Sequence, residues 1–96
     1  MISIDKKNNV ATLTFQRPEA LNAFNEEMFD SVADALLNTA EEDDVKVLII
    51  TGAGRAFSAG LDLTSVGVKG AAPKHGFPGM FEAFIEYPKP ILLAIN

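Results

Sequence analysis

Polar and apolar residues alternate with strand period at the start of the chain. Ile2 and Ile4 alternate with Ser3 and Asp5; Val10, Thr12 and Thr14 alternate with Ala11, Leu13 and Phe15. Lys6-Lys7-Asn8-Asn9 lies between them, and asparagine tolerates positive φ, so residues 2–15 read as a hairpin. Arg17-Pro18 stops the second strand, since proline lacks the donor a ladder uses. From Asn25 to Glu42 the period becomes helical. Met28, Val32 and Leu36 recur at i, i+4 and i+8, and Phe29, Ala33 and Ala40 widen the stripe. Asn25 is placed to cap this helix, with Glu26 and Glu27 suiting its positive end. The acidic run Glu41 to Asp44 falls at the negative end and predicts a frayed, solvated exit.

Val45 to Thr51 is a nearly continuous apolar run, which predicts a strand buried on both faces. Gly52-Ala53-Gly54 closes it. Strand, helix and buried strand in that order predict α/β architecture with parallel pairing. A glycine- and proline-rich stretch, Gly67 to Gly79, reads as a loop. Met80, Phe81, Phe84 and Ile85 are helically spaced and predict a short helix ended by Pro88. Pro90 then introduces a last strand, Ile91 to Ile95, also expected to be buried on both faces. Such a strand calls for a covering element, either another chain or the rest of a longer fold, and the pattern is read as the front part of a longer fold.

Composition narrows the chemistry. The 96 residues suffice for one domain, and 48% apolar content is that of a globular protein. With no cysteine and one histidine, the chain has no thiolate nucleophile, disulfide, cysteine-ligated metal or multi-histidine centre. Eight basic against thirteen acidic residues, a net charge of −5, argues against a nucleic-acid partner. No apolar run approaches the roughly 20 residues of a membrane-spanning helix, and no signal-type segment opens the chain. A cytoplasmic protein without membrane association is expected.

Three readings of the glycine-rich turn compete. Gly52 and Gly54 begin a dinucleotide fingerprint, but Phe57 stands at its third glycine and Arg55 would crowd a pyrophosphate. No Gly-Lys-Ser/Thr follows, so a phosphate loop fails too. Ala56-Phe57-Ser58-Ala59-Gly60 approximates a nucleophile elbow. Its one candidate base, His75, lies in the loop stretch without an evident orienting acid, so Ser58 reads as a backbone-bonding turn residue. Phe77, Phe81 and Phe84 read as core, with a ligand pocket as the competing reading.

Three longer blocks carry a more specific signal. They are Arg17-Pro-Glu-Ala-Leu-Asn-Ala-Phe24, Val47-Leu-Ile-Ile-Thr-Gly-Ala-Gly-Arg-Ala-Phe-Ser-Ala-Gly-Leu-Asp-Leu63 and Tyr87-Pro-Lys-Pro-Ile-Leu-Leu-Ala-Ile-Asn96. In order and spacing the chain resembles the enoyl-CoA hydratase/isomerase (crotonase) superfamily, across its whole length. The resemblance implies a crotonase-like spiral of ββα units, with residues 1–96 as its N-terminal part. It implies an acyl-CoA thioester as ligand, coenzyme A entering as part of the substrate, and no metal or further cofactor. It also implies a homo-oligomer, a trimer or pair of trimers.

The same resemblance assigns roles. The backbone N–H of Leu61, after Gly60, is implied as the first donor to an enolate-like thioester oxygen, and Gly60 as the turn that brings it close. Asp62 is expected to brace the turn. Ala20, Leu21, Asn22, Ala23, Ala59, Asp62 and Leu63 are implied in holding the substrate, and Met80, Phe81 and Phe84 in walling its acyl group. Glu19 and Thr64 stand where relatives often carry basic residues, which leaves Arg17 and Lys89 as candidates for phosphate contacts. The second oxyanion donor and the acid/base glutamates are implied to lie beyond Asn96. Glu82 and Glu86 read as solvated surface. The 96 residues alone are therefore expected to be catalytically incompetent, and a non-catalytic CoA-binding or strand-pairing module is the alternative.

Overall fold

The computed structural model describes residues 1–65 and 74–96. A four-stranded sheet in the order β1-β2-β3-β4 is covered on one face by two helices. Strands β1 (Ile2–Lys7) and β2 (Val10–Phe15) form the hairpin, pairing Lys7 with Val10 and Ile2 with Phe15. Its turn is only Asn8 and Asn9, both at positive φ (53° and 67°), as a two-residue turn matched to strand twist requires. Lys6 and Lys7 therefore continue β1 instead of joining the turn.

Helix α1 (Glu26–Glu41) carries the chain from β2 to β3 (Val47–Gly52), which lies parallel to β2. The Asn25 side chain accepts the Met28 N–H at 2.9 Å, an N-cap at the expected position. The far end is tied down from a distance. Lys89, from beyond the second helix, donates its ammonium to the carbonyls of Thr39 (2.6 Å) and Glu42 (2.7 Å). A cation on the last carbonyls offsets the unfavourable acidic run. Glu42 is itself paired with Lys6. This role takes Lys89 away from the phosphate contact its sequence position suggested.

Helix α2 (Gly76–Ile85) leads from the far side of β3 to β4 (Ile91–Ala94), parallel to β3. It begins four residues before Met80, so residues 76–79 of the expected loop are helical; most of the rest of that stretch lies outside the described residues. Gly76, Pro78 and Gly79 fall in the first turn, where a missing donor costs least. Asp30 of α1 fixes that turn: its carboxylate accepts the N–H groups of Lys74 (3.0 Å), His75 (2.8 Å) and Gly76 (2.8 Å).

The core lies between sheet and helices. Ala11, Leu13 and Phe15 of β2 and Leu48 and Ile50 of β3 meet Met28, Val32 and Leu36 of α1 and Met80 and Ala83 of α2. Two sequence expectations change here. Strand β3 is buried on one face only, Val47, Ile49 and Thr51 being half-buried. Strand β4 is largely exposed, with Leu92 and Leu93 open. Both helices cover the same sheet face, so an apolar run leaves its alternate residues on the other.

Candidate acyl pocket and backbone turn

The three sequence blocks converge on the exit of β3. After β2, the 3-10 turn Pro18–Ala20 is followed by Leu21 and Asn22, both left-handed (φ 52° and 56°). That conformation turns the Asn22 side chain inward, where it is fully buried. Its Oδ1 accepts the Arg17 N–H at 2.8 Å, and its Nδ2 donates to the carbonyls of Ala53 (2.9 Å) and Ala56 (2.8 Å). Asn96, ending the third block, donates to Gly52 (3.0 Å) and Gly54 (2.8 Å) from the other side. Two side-chain amides thus hold the loop where the sheet ladder stops. A Cβ on Gly52 would lie 2.5 Å from the Phe57 carbonyl oxygen and 2.8 Å from Asn22 Nδ2, so this close approach requires glycine.

Residues 56–62 run against 21–24. The Ser58 hydroxyl donates to the Asn22 carbonyl (2.8 Å) and accepts the Gly60 N–H (3.1 Å), so it is a turn brace. Ala59 N–H donates to Leu21, Phe24 N–H to Gly60, and Asp62 N–H to Phe24. The last two bonds form a parallel bridge between Phe24 and Leu61. In such a bridge the N–H of Leu61 points away from Phe24. Among the described residues it has no acceptor. Gly60 has φ +96° and no atom within 4 Å of a Cβ built there, so its backbone conformation, not crowding, calls for glycine.

Arg17 and Asp62 brace the turn from behind. The guanidinium donates to the Ala23 carbonyl (2.6 Å) and to Asp62 Oδ2 (3.2 Å), and the pair is largely buried. Asp62 Oδ1 accepts the Thr64 hydroxyl (2.6 Å) and N–H (3.0 Å). The Thr64 hydroxyl, the Thr64 N–H and Arg17 hold the Asp62 carboxyl below its ordinary range against the opposing effect of burial. Arg17 is thus engaged internally, not presented to a phosphate.

Beside the turn lies a cavity of about 730 Å³. Gly60 and Leu61 form one edge, Ile50 and Leu93 the sheet side, and Met80, Phe77 and Phe84 the α2 side. Phe15, Phe24, Phe29 and Phe57 complete the wall, with Ser58 and Glu26 as its polar side chains. Of the three residues expected to wall an acyl group, Met80 and Phe84 line the cavity. Phe81 does not; it stacks on Phe77 at 5.8 Å with half its surface exposed. Leu63 is exposed outside the cavity, Ala59 is exposed, Ala20 and Leu21 are half-buried and Ala23 is buried. Sequence reasoning missed the four phenylalanines at 15, 24, 29 and 57, although Phe24 and Phe57 lie inside the motif blocks.

His75 does have an acid beside it. It lies just before α2, and its Nε2 meets Asp34 Oδ1 of α1 at 2.9 Å. Lys74 reaches the same oxygen at 3.0 Å. The His75 and Lys74 contacts, in that order, lower the Asp34 pKa. The acid absent from the local sequence comes from another helix, while Ser58 bonds to the turn; the two do not form a nucleophile–base pair. Glu82 and Glu86 are exposed. Among the described residues no three His, Cys, Asp or Glu side chains gather as metal ligands, and no helix is long and apolar enough to cross a membrane.

A one-sided mixed sheet, a glycine turn held by the side-chain amides of Asn22 and Asn96, and an apolar cavity define a crotonase-type unit. The enoyl-CoA hydratase EchA8_6 of Mycobacterium marinum superposes with a TM-score of 0.93 at 45% identity, over 99% of this chain and 47% of that one. The 1,2-epoxyphenylacetyl-CoA isomerase of Escherichia coli K12 is 38% identical over 94% of this chain and 37% of its own length. Rat enoyl-CoA delta isomerase 2 is 33% identical over 99% of this chain and 26% of its own. The enoyl-CoA hydratase/isomerase family pattern matches residues 5–96, and the chain belongs to that family. It spans less than half the length of these relatives.

Proposed function

We propose that this chain is the acyl-CoA-binding part of an enoyl-CoA hydratase or isomerase. The observation that carries the reading is the Leu61 N–H: it has no acceptor among the described residues, and Leu61 borders an apolar cavity. A thioester carbonyl placed there would accept that hydrogen bond while its acyl group enters the cavity. Negative charge gathers on the thioester oxygen during hydration or double-bond migration. A backbone donor already fixed in place stabilises that charge without reorganising, and losing one such donor typically costs 100- to 1000-fold in rate. The names of the relatives support the thioester class.

By this reading the 96 residues bind ligand without turnover. Glu26 is the only carboxylate among the described lining residues, and it sits exposed at the start of α1. The exposed apolar residues of β4 support the strand-pairing alternative, which monodisperse monomer in size-exclusion chromatography would count against.

Substitution of Leu61 separates backbone from side chain. Leu61→Pro removes the N–H but leaves the bridge bonds, which use the Gly60 carbonyl and Asp62 N–H. Leu61→Ala keeps the donor. In calorimetric titrations with octanoyl-CoA, the proline variant is expected to bind about tenfold more weakly than the alanine variant, the loss of one hydrogen bond. Equal affinities would remove the Leu61 amide from the site.

A further inference from the structure

We infer that the cavity selects an aromatic acyl group over a straight aliphatic one of equal carbon count. The inference rests on the acyl-CoA reading above and adds the class of acyl group. Six of the chain's seven phenylalanines line one cavity: Phe15, Phe24, Phe29, Phe57, Phe77 and Phe84.

Three pairs of these rings already meet edge-on. Phe15 meets Phe24 edge-on (5.0 Å between centroids, 82°) and Phe57 likewise (5.2 Å, 67°). Phe29 meets Phe77 in the same manner (5.7 Å, 76°). Phe24, Phe57 and Phe84 are only half-buried and Phe77 is half-exposed, so ring surface remains for a ligand. The Met80 thioether on the same wall adds a sulfur, which also favours aromatic neighbours.

Room does not decide the choice. A benzene ring fits a dry cavity of about 150 Å³, well below the 730 Å³ available. The wall chemistry decides it. A flexible chain gains dispersion contacts but loses rotational freedom on binding, whereas a ring is rigid and gains edge-to-face contacts with several walls. Ser58 and Glu26 are the polar side chains of the described lining, and the Ser58 hydroxyl is engaged in the turn. The wall thus favours an unsubstituted ring.

The test titrates the whole chain with phenylacetyl-CoA, octanoyl-CoA and free coenzyme A. The two esters carry equal numbers of acyl carbons. Phenylacetyl-CoA is expected to bind about tenfold tighter than octanoyl-CoA, the sum of two favourable ring contacts. Phe77→Leu, at a half-exposed position, should reduce that ratio to about threefold. Octanoyl-CoA binding as tightly as phenylacetyl-CoA, or a ratio unmoved by Phe77→Leu, would overturn the aromatic selection and leave the acyl-CoA reading standing. Neither ester binding tighter than free coenzyme A would overturn both.

Discussion

At the scale of single residues, Asn22 does the most to hold the candidate site. It is fully buried in a left-handed conformation, and its amide serves Arg17, Ala53 and Ala56 while its own carbonyl receives Ser58. Leaving a buried polar group unpaired costs about 1–3 kcal/mol each. Asn22→Ala strands three backbone groups and is expected to destabilise the chain by roughly 3 kcal/mol or more, measured by denaturant unfolding; a change below 1 kcal/mol would contradict this account. The motif that contains Asn22 was legible in the sequence, but its task was not. An asparagine in a turn is ordinary, and only the fold brings the carbonyls of residues 53 and 56 to it. Ser58 was legible as a backbone-bonding turn residue because its one candidate base, His75, had no evident orienting acid in the sequence. Arg17 was misplaced because its partner Asp62 lies 45 residues away.

At the scale of elements, period and capping residues predicted β1, β2, α1 and β3 close to their observed bounds. Local pattern failed where a distant residue decides the outcome. The end of α1 looked frayed until Lys89 reached its carbonyls, and the start of α2 looked like loop until Asp30 took three of its donors. The Asp30 clasp has a pH signature. Burial disfavours its charge, but the three N–H groups outweigh that and leave its pKa lowered from 3.8. A carboxyl whose folded pKa is depressed stabilises the fold fully above its unfolded value and loses that contribution as pH falls through the folded one. Asp30→Asn should therefore melt below wild type at neutral pH, with a gap that persists to about pH 4 and closes as acid protonates the wild-type carboxylate. Melting followed by circular dichroism at a series of pH values measures this. A gap of the same size at pH 2 would contradict the charge-based clasp.

At the scale of the whole molecule, the net charge of −5 acquires a specific meaning. The cations whose positions suggested phosphate contacts are used inside the fold, Arg17 on Asp62 and Lys89 on α1. The proposed ligand would be recognised chiefly at its acyl and thioester end, through backbone and phenylalanine. The family could be read from the three blocks, whose spacing survives without coordinates, and α/β order and parallel pairing from the succession of strand, helix and apolar strand. The cavity could not, because its walls come from β2, β3, β4, α1, α2, Phe24 and residues 57–61, and no local period links residues so far apart. The one-sided cover of the sheet was equally hidden: an apolar run signals burial but not which face receives it.

The most direct test of the central claim watches the Leu61 amide itself. Chain labelled with 15N is titrated with octanoyl-CoA carrying 13C at the thioester carbonyl, and both nuclei are followed by NMR. A downfield shift of the Leu61 amide proton and of the thioester carbon is expected at one shared saturation point, with free coenzyme A producing neither. Saturation by the acyl-CoA with the Leu61 amide unmoved would contradict it.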